Sequence, residues 1–513
     1  MVTYKLANCY YRPPTESVMN RNGAESDGSR VKDSNPEYLG RRTVLKAIGV
    51  GAATMALVPS GAGATQVDGP TVYVAGGSDN DNVGALHAID PQTGEERWQW
   101  LPPKEDDPRA PSTYTSSPPT VSNGSIYLGI NSERIFSVDA VSGEQEWESE
   151  QFSELSFGAS SPTVIDGRVY TTTREKVLAL DAADGELLWE TEGEDWGVDP
   201  LVEDGRMYLV DFNGGVTCLD TASGDVEWTH GDADGFQGRS LADGMLYVGI
   251  RISLSQGGVR ALDANSGEVQ WEVEMDGGFS RSSPTLFDGV VYIGDSDGNV
   301  HAIDTERREM LWTTHVTDGF EDDAPSLGAP TVYDDTVYIA GGEALFALDV
   351  DTGGEQWAFT DGVGRIAGTP TVANGTVYVS SNGSRTQTTA RLYALDAGTG
   401  EEQWEFEPDR TEARRYDLLR GYPTIVDSPA DGNGIGTRST QAIHGHTELF
   451  SEDIGDELAG ESGSPSGNGG GDGSSTNTDE SLPGFGIPAA AAGVSGVAYA
   501  LKRRRESADS KET

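Results

Sequence analysis

An eleven-residue unit that occurs eight times constrains this chain more than any other feature of its sequence. Its first copy, Ala88–Trp98, sets a small residue, Asp, Gly, an acidic residue and Trp at fixed offsets. The Asp/Trp pairs of the eight copies are Asp90/Trp98, Asp139/Trp147, Asp181/Trp189, Asp220/Trp228, Asp263/Trp271, Asp304/Trp312, Asp349/Trp357 and Asp396/Trp404. Copies recur about every 40–50 residues, a period typical of repeat architectures whose single units cannot bury their own apolar face.

Each repeat predicts four short antiparallel strands. In the third copy, residues 161–170 read Ser-Pro-Thr-Val-Ile-Asp-Gly-Arg-Val-Tyr, and the Asp-Gly between two apolar runs is a strong hairpin signal. Residues 177–181 and 185–189 supply the other two strands. Four-stranded units repeated radially make a β-propeller, and the turn residues exclude helical repeats.

The ends of the repeat region predict how the ring closes. The first copy has its second strand, Thr71–Val74, but no Pro-Thr-Val strand before it. An unpaired copy of that strand, Tyr422–Asp427, follows the last Trp. We therefore predict an all-β fold, an eight-bladed β-propeller of four-stranded antiparallel blades closed by strands from both termini, which hides the sheet edges of an open fan.

The sequence outside the repeats predicts export. We divide the chain into an N-terminal extension with signal peptide (1–64), the propeller (65–430), an acidic Gly/Ser-rich linker (431–482) and a hydrophobic sorting or anchor segment (483–513). The twin arginine at 41–42, the apolar run 47–58 and the small residues 62–64 resemble a twin-arginine (Tat) signal peptide. The long stretch before it leaves either Met1 or Met19 as the start.

The C-terminal segment predicts attachment to a membrane. Pro-Gly-Phe-Gly at 483–486, an apolar run at 487–501 and a basic cluster at 502–505 resemble the PGF-CTERM sorting signal of haloarchaeal surface proteins. A plain membrane anchor is the alternative, and it gives the same topology. Both place the propeller on the extracellular face of the cell membrane.

The charge of the chain limits its environment and its partners. The formal net charge is −49, with 84 acidic and 35 basic residues, which strains a compact state in dilute buffer and is screened at molar salt. We interpret the surface as that of a halophilic protein and expect no nucleic-acid partner. Only Cys9 and Cys218 occur, and Cys218 takes a small-residue position of the repeat, where it fills space.

The repeat resembles the tryptophan-docking motif of the PQQ-like propellers, which include quinoprotein alcohol dehydrogenases and BamB-type scaffold propellers. The resemblance implies that each Trp packs between adjacent blades against the Gly-containing segment of a neighbouring copy. It assigns this structural role to Trp98, Trp147, Trp189, Trp228, Trp271, Trp312, Trp357 and Trp404. The sixth copy departs from the motif because Arg308 replaces its Gly, so we expect one looser blade interface.

The same resemblance leaves two functions open. Quinoprotein dehydrogenases usually hold PQQ with a disulfide between adjacent cysteines, a stacking Trp, and Ca²⁺ near a catalytic Asp. This chain has no adjacent cysteines. Because function must be argued from the site, we expect a monomeric, non-enzymatic binding or scaffolding module without a cofactor. The alternative is a PQQ- and Ca²⁺-dependent dehydrogenase that oxidises alcohols or sugars.

A cationic, aromatic channel mouth is the candidate binding site for a protein or anionic ligand. Four arginines fall at or just before the innermost strands, and aromatic residues take equivalent positions. The candidates are Arg239, Arg281, Arg365, Arg420, Tyr114, Trp196, Phe236 and Tyr422. The alternative is that each Arg pairs locally with an acidic residue.

Two weaker motifs complete the predictions. Asp295–Asn299 resembles a calcium loop but lacks its sharp-turn Gly, so we predict a hairpin turn there and no metal site. Asn123, Asn374 and Asn382 stand in Asn-Gly-Ser/Thr sequences and are candidate glycosylation acceptors. Asn-Gly turn chemistry is the alternative explanation for the first two.

Overall fold

The computed structural model describes fifteen stretches of the chain, all within the unit Gly63–Thr513. They are residues 69–78, 83–103, 118–130, 134–152, 160–193, 199–211, 215–231, 238–253, 256–275, 278, 282–317, 327–360, 366–382, 390–408 and 423–426. The predicted signal peptide, linker and C-terminal segment lie outside them.

The described residues form eight antiparallel four-stranded sheets, which are the blades of a propeller. Blades one and two contain β1 (Thr71–Ser78), β2 (Val83–Ile89), β3 (Glu96–Trp100), β4 (Thr120–Ser122), β5 (Ser125–Ile130), β6 (Arg134–Asp139) and β7 (Gln145–Glu148). Blades three and four contain β8 (Thr163–Ile165), β9 (Arg168–Thr172), β10 (Lys176–Asp181), β11 (Leu187–Glu192), β12 (Leu201–Glu203), β13 (Arg206–Val210), β14 (Gly215–Asp220) and β15 (Val226–Gly231).

Blades five and six contain β16 (Arg239–Ala242), β17 (Met245–Ser253), β18 (Gln256–Asp263), β19 (Val269–Met275), β20 (Thr285–Phe287), β21 (Val290–Gly294), β22 (Asn299–Asp304) and β23 (Glu309–His315). Blades seven and eight contain β24 (Thr331–Tyr333), β25 (Thr336–Gly341), β26 (Ala344–Asp349), β27 (Glu355–Phe359), β28 (Ile366–Ala373), β29 (Thr376–Ser381), β30 (Arg391–Asp396) and β31 (Glu402–Phe406). The last strand, β32 (Thr424–Val426), completes blade one.

Blade one confirms the predicted closure. Its strand order is β3-β2-β1-β32, and β32 pairs antiparallel with β1 in the register Thr71↔Val426 and Tyr73↔Thr424. The innermost strand of this blade therefore comes from the far end of the repeat region. The prediction of eight blades closed by strands from both ends is correct.

Two-residue turns join the first and second strands of blades two to eight. In blade three Asp166 (φ 50°) and Gly167 (φ 73°) both adopt left-handed backbone geometry, as a type I′ hairpin requires. Asn123 and Asn374 take the same first position in blades two and eight. These turns lie at the end of the sheet that also carries the turns between third and fourth strands, because the strands alternate in direction. We call this end of the ring the turn face and the opposite end the connection face.

The apolar core lies between blades. Tyr73 and Leu86 of blade one pack with Ile126 and Leu128 of blade two, and all four are buried. The outermost strands, in contrast, alternate between exposed and half-buried residues, as in β11. Each blade thus buries its faces only by packing against its neighbours, which is why the sequence must repeat.

Candidate functional site

Seven of the eight repeated tryptophans lie against a glycine of the following blade. A Cβ atom built on any of these glycines would lie 2.5–2.8 Å from an indole carbon, and their φ angles are 69–76°. Only glycine fits both constraints. The pairs are Trp98–Gly143, Trp147–Gly185, Trp189–Gly224, Trp228–Gly267, Trp312–Gly353, Trp357–Gly400 and Trp404–Gly94.

Six of these indoles also donate their Nε1–H to a carbonyl of the same turn, over 2.8–3.2 Å. The bonds run from Trp147 to Ala182, Trp189 to Thr221, Trp228 to Ala264, Trp312 to Val350, Trp357 to Ala397 and Trp404 to Pro91. The buried Trp98 Nε1 has no hydrogen-bond partner among the described residues. The repeated tryptophans thus occupy the boundaries between blades.

We call the turn between the third and fourth strands of a blade, which carries the glycine under the indole, the docking turn. Arg308 takes the place of that glycine in blade six. It keeps left-handed geometry, with φ 60°, although it carries a side chain, which is unfavourable for an L-residue. Trp271 of blade five has no glycine beneath it, and within the described chain its Nε1–H makes no hydrogen bond to Thr305 of that turn. Trp271 still packs against Tyr247 of its own blade, with ring centroids 5.9 Å apart.

Two further sets of inter-blade contacts were not predicted from the sequence. Second-strand tyrosines donate to a docking-turn carbonyl of the next blade over 2.7–3.4 Å: Tyr73, Tyr127, Tyr170, Tyr292 and Tyr338. Innermost-strand threonines donate to the carbonyl of a Pro in or directly before the innermost strand of the next blade over 2.5–2.9 Å: Thr424, Thr120, Thr163, Thr285, Thr331 and Thr371. The recurrent Pro-Thr pair is the sequence signal that could have revealed the second set.

Arg239 is the one channel-mouth candidate that the structure describes. It begins β16 in the place of the usual Pro, and it is only 3% exposed. Its guanidinium donates to the Asp199 carbonyl of blade four. The Asp199 carboxylate in turn accepts the Ser161 N–H of blade three at 2.7 Å. Arg239 therefore lies inside the ring and links the innermost strands of three blades at the connection face.

The other channel-mouth candidates lie outside the described residues. They are Tyr114, Trp196, Phe236, Arg281, Arg365, Arg420 and Tyr422. A shared cationic, aromatic mouth stays a prediction for them. All fall on connections between blades, and these connections differ greatly in length, from 101–119 between β3 and β4 to 360–365 between β27 and β28.

The candidate glycosylation sites differ in their surroundings. Asn123 and Asn374 have φ angles of 50° and 51° in the hairpin turns where most other blades carry Asp. This geometry accounts for both Asn-Gly pairs by turn chemistry. Asn382 directly follows β29, and its buried Oδ1 has no partner among the described residues. Glycosylation of the three stays a prediction.

The Asp295 carboxylate is occupied by hydrogen bonds. It accepts the N–H groups of Asp297 and Asn299, the Asn299 amide and the buried His301 Nε2, all at 2.8–2.9 Å. Burial raises the pKa of Asp295, but these bonds, that from His301 foremost, outweigh burial and hold the pKa below its usual value. The carboxylate therefore orders the β21–β22 hairpin. Among the described residues no group of three His, Cys, Asp or Glu side chains could hold a metal ion.

Known proteins share this architecture. The family model described as outer membrane protein assembly factor BamB matches residues 41–249, 255–405 and 335–431, which is more than half of the chain. The chain belongs to the BamB family. Comparison with curated protein sequences finds no match.

Solved structures similar to this BamB-family chain include BamB itself and two dehydrogenases. BamB from Moraxella catarrhalis is 17% identical, with 62% of this chain and 96% of that chain covered and a TM-score of 0.47. Quinohemoprotein alcohol dehydrogenase from Comamonas testosteroni is 13% identical, with 63% and 74% covered and a TM-score of 0.45. Dihydro-heme d1 dehydrogenase NirN, in complex with DHE, is 16% identical, with 66% and 73% covered and a TM-score of 0.52. At this identity the NirN match shows the common fold alone.

The described residues of this family member do not fit a quinone. Its described cysteine, Cys218, is fully buried, and burial together with Glu227 raises the pKa of the thiol to about 12. All eight repeated tryptophans lie at blade boundaries, and Trp100 is buried against Phe136. No described tryptophan is therefore left for stacking on a ring system. The structure also shows no helix in its described part that is long and apolar enough to cross a membrane.

Proposed function

We propose that this BamB-family propeller is a non-enzymatic binding or scaffolding module that presents its connection face to a protein partner. The observation that carries the proposal is the contrast between the two faces. On the turn face, the turns are short and nearly constant in length. Their carbonyls accept hydrogen bonds from the neighbouring blade, and their glycines lie against its tryptophans. On the connection face, the segments between blades differ in length and composition, as binding loops on a rigid scaffold do.

The proposal includes a location outside the cell. Its support is the Tat-like sequence at 41–64 and the PGF-CTERM-like sequence at 483–513. A charge of −49 suits a surface exposed to concentrated salt. Peptide mapping of the protein from the cell surface tests this part: a mature N-terminus close to residue 65 supports it, and retention of residues 41–64 contradicts it.

Affinity capture from native membranes at molar salt tests the binding function. The full chain serves as bait beside two variants, Tyr114→Ala/Trp196→Ala in the connections and Leu187→Ala/Val226→Ala on exposed outer-strand positions. The wild type and the outer-strand variant are expected to retain the same membrane partner, and the connection variant is expected to lose it. Equal capture by all three baits would contradict a binding site on the connection face.

An activity assay tests the alternative. The full chain, incubated with PQQ and Ca²⁺, is offered alcohols and sugars with a redox dye. We expect no dye reduction above a protein-free control, because the described residues do not supply the groups that hold the quinone. Turnover would replace the scaffold proposal with a dehydrogenase.

A further inference from the structure

The boundaries between blades, here called seams, are not equivalent. Four contacts recur across them: Trp against Gly, the indole bond to the docking turn, the tyrosine bond to the same turn, and the threonine bond to the next innermost strand. The two/three, three/four, six/seven and seven/eight seams have all four. The one/two and eight/one seams have three, and the four/five seam has two.

The five/six seam has none of the four among the described residues. Arg308 occupies the glycine position. In the part of the chain that the structure describes, neither the Trp271 indole nor the Tyr247 hydroxyl donates to that docking turn. Ser240 stands in place of the innermost Thr, and its buried hydroxyl has no partner in the described chain. Within the described residues, all four recurrent contacts are therefore missing at one boundary.

At this seam the described residues of the two blades contact each other through apolar side chains. Ala261 and Met275 of blade five pack with Leu286 and Ile303 of blade six, and all four are buried. Apolar packing is non-directional, whereas the missing hydrogen bonds fix the position of one blade on the next. Two blades held in this way can separate without breaking a recurrent polar contact.

We propose that the ring opens between blades five and six, by a local movement that occurs while the blades themselves stay folded. The inference goes beyond the proposed binding function, because it concerns the ring whatever its partner. Sub-global opening of this kind takes place where stabilising contacts are fewest. It would expose the apolar sides of two blades for as long as the seam is parted.

The chain itself offers a matched probe. The third strands carry a small residue opposite the docking Trp, and in blade four that residue is the native Cys218, opposite Trp228. Ala261 lies opposite Trp271, and Ala347 lies opposite Trp357, both fully buried. A cysteine therefore fits this position. Ala261→Cys reports on the five/six seam and Ala347→Cys on the four-contact seven/eight seam.

Alkylation of these cysteines under native conditions is the experiment. Both are placed in the full chain with Cys9→Ser and Cys218→Ala, and each rate is divided by the rate of the same variant in urea. We expect Ala261→Cys to react at least about tenfold faster than Ala347→Cys. Adding Arg308→Gly and Ser240→Thr, which restore the missing groups, should slow Ala261→Cys and leave Ala347→Cys unchanged.

Equal corrected rates at the two positions would overturn the proposal, since they would mean that both thiols are reached only through global unfolding. If an alanine-to-cysteine variant fails to fold, the same comparison is made two residues earlier on the same strands, with Val259→Cys at the five/six seam and Leu345→Cys at the seven/eight seam, both fully buried positions. Faster corrected alkylation of Val259→Cys supports opening at the five/six seam, and equal corrected rates contradict it.

Discussion

The indole of Trp404 lies against Gly94, so the contact that closes the ring joins the last docking unit to the first. A Cβ atom on Gly94 would lie 2.8 Å from two indole carbons, and Trp404 Nε1 donates to the Pro91 carbonyl at 2.8 Å. This contact lies at the outer part of the boundary, while β32 joins β1 next to the channel. Closure thus depends on both the inside and the outside of the ring.

Gly94→Ala is expected to destabilise the ring by about 2 kcal/mol or more, through steric overlap with Trp404 and an unfavourable φ. Gly167→Ala is the matched control, because Gly167 has a similar φ of 73° and nothing within 4 Å of its Cβ position. The control should cost only about 1 kcal/mol. Urea unfolding at constant high salt measures both, and equal midpoints would contradict the steric role of the docking glycine.

The repeat made the fold predictable because its information is local. Asp166-Gly167 sets the hairpin between the first two strands of blade three, the docking turn sets the hairpin between the last two, and the number of copies sets the number of blades. The threonine bonds escaped prediction because Thr is also a common strand residue. Only the three-dimensional ring shows that Thr120 faces the Pro162 carbonyl of another blade.

The candidate site was less predictable for a physical reason. All its residues except Arg239 lie on connections that do not repeat, so no copy can be compared with another. Arg239 shows the difficulty: its position at the start of β16 followed from the repeat, but its burial depends on Asp199 in the neighbouring blade. Sequence spacing places a side chain on a strand and does not say which groups it meets.

Two substitutions on the innermost strands should have opposite effects on stability. Thr120→Val removes a hydroxyl that donates to Pro162, leaves that buried carbonyl unpaired, and should cost about 1–2 kcal/mol. Ser240→Ala removes a buried hydroxyl without a partner among the described residues and should stabilise by about 0.5–1 kcal/mol. Urea midpoints of the two variants decide the matter, and a change of the same sign in both would refute the expectation.

Acid should weaken the ring through its docking turns. The Ser223 N–H foremost lowers the pKa of Asp220, and the Thr352 hydroxyl does the same for Asp349. A carboxyl with a lowered folded-state pKa contributes stability above its unfolded value of about 3.9, and that contribution is lost as pH falls through the folded value. Urea midpoints should therefore fall as pH drops below about 4, less steeply in Asp349→Asn. If the urea midpoint of Asp349→Asn fell with pH as steeply as that of the wild type, the Asp349 carboxylate would not have this role.

Asp295→Ala should be among the most damaging changes in blade six. It removes the acceptor of His301 and of two backbone N–H groups at a buried site, which should cost about 3 kcal/mol. Asp297→Ala is the control, because the exposed Asp297 contributes its N–H to the turn and that group is retained. The control is expected to change the unfolding free energy by less than about 0.5 kcal/mol. Similar losses of unfolding free energy in both variants would show that the Asp295 carboxylate does not stabilise this hairpin as a hydrogen-bond acceptor.

Pairing of β32 with β1 also has a consequence for biosynthesis. The first blade lacks its innermost strand until residues 424–426 have been translated, so a nascent chain that extends past β31 but not to Thr424 carries seven complete blades and one unfinished blade. Premature termination anywhere before Thr424 would leave a permanently open arc with an exposed strand edge, the kind of edge that promotes aggregation. Closure of this ring therefore depends on the last strand to be translated, however well the preceding blades have folded.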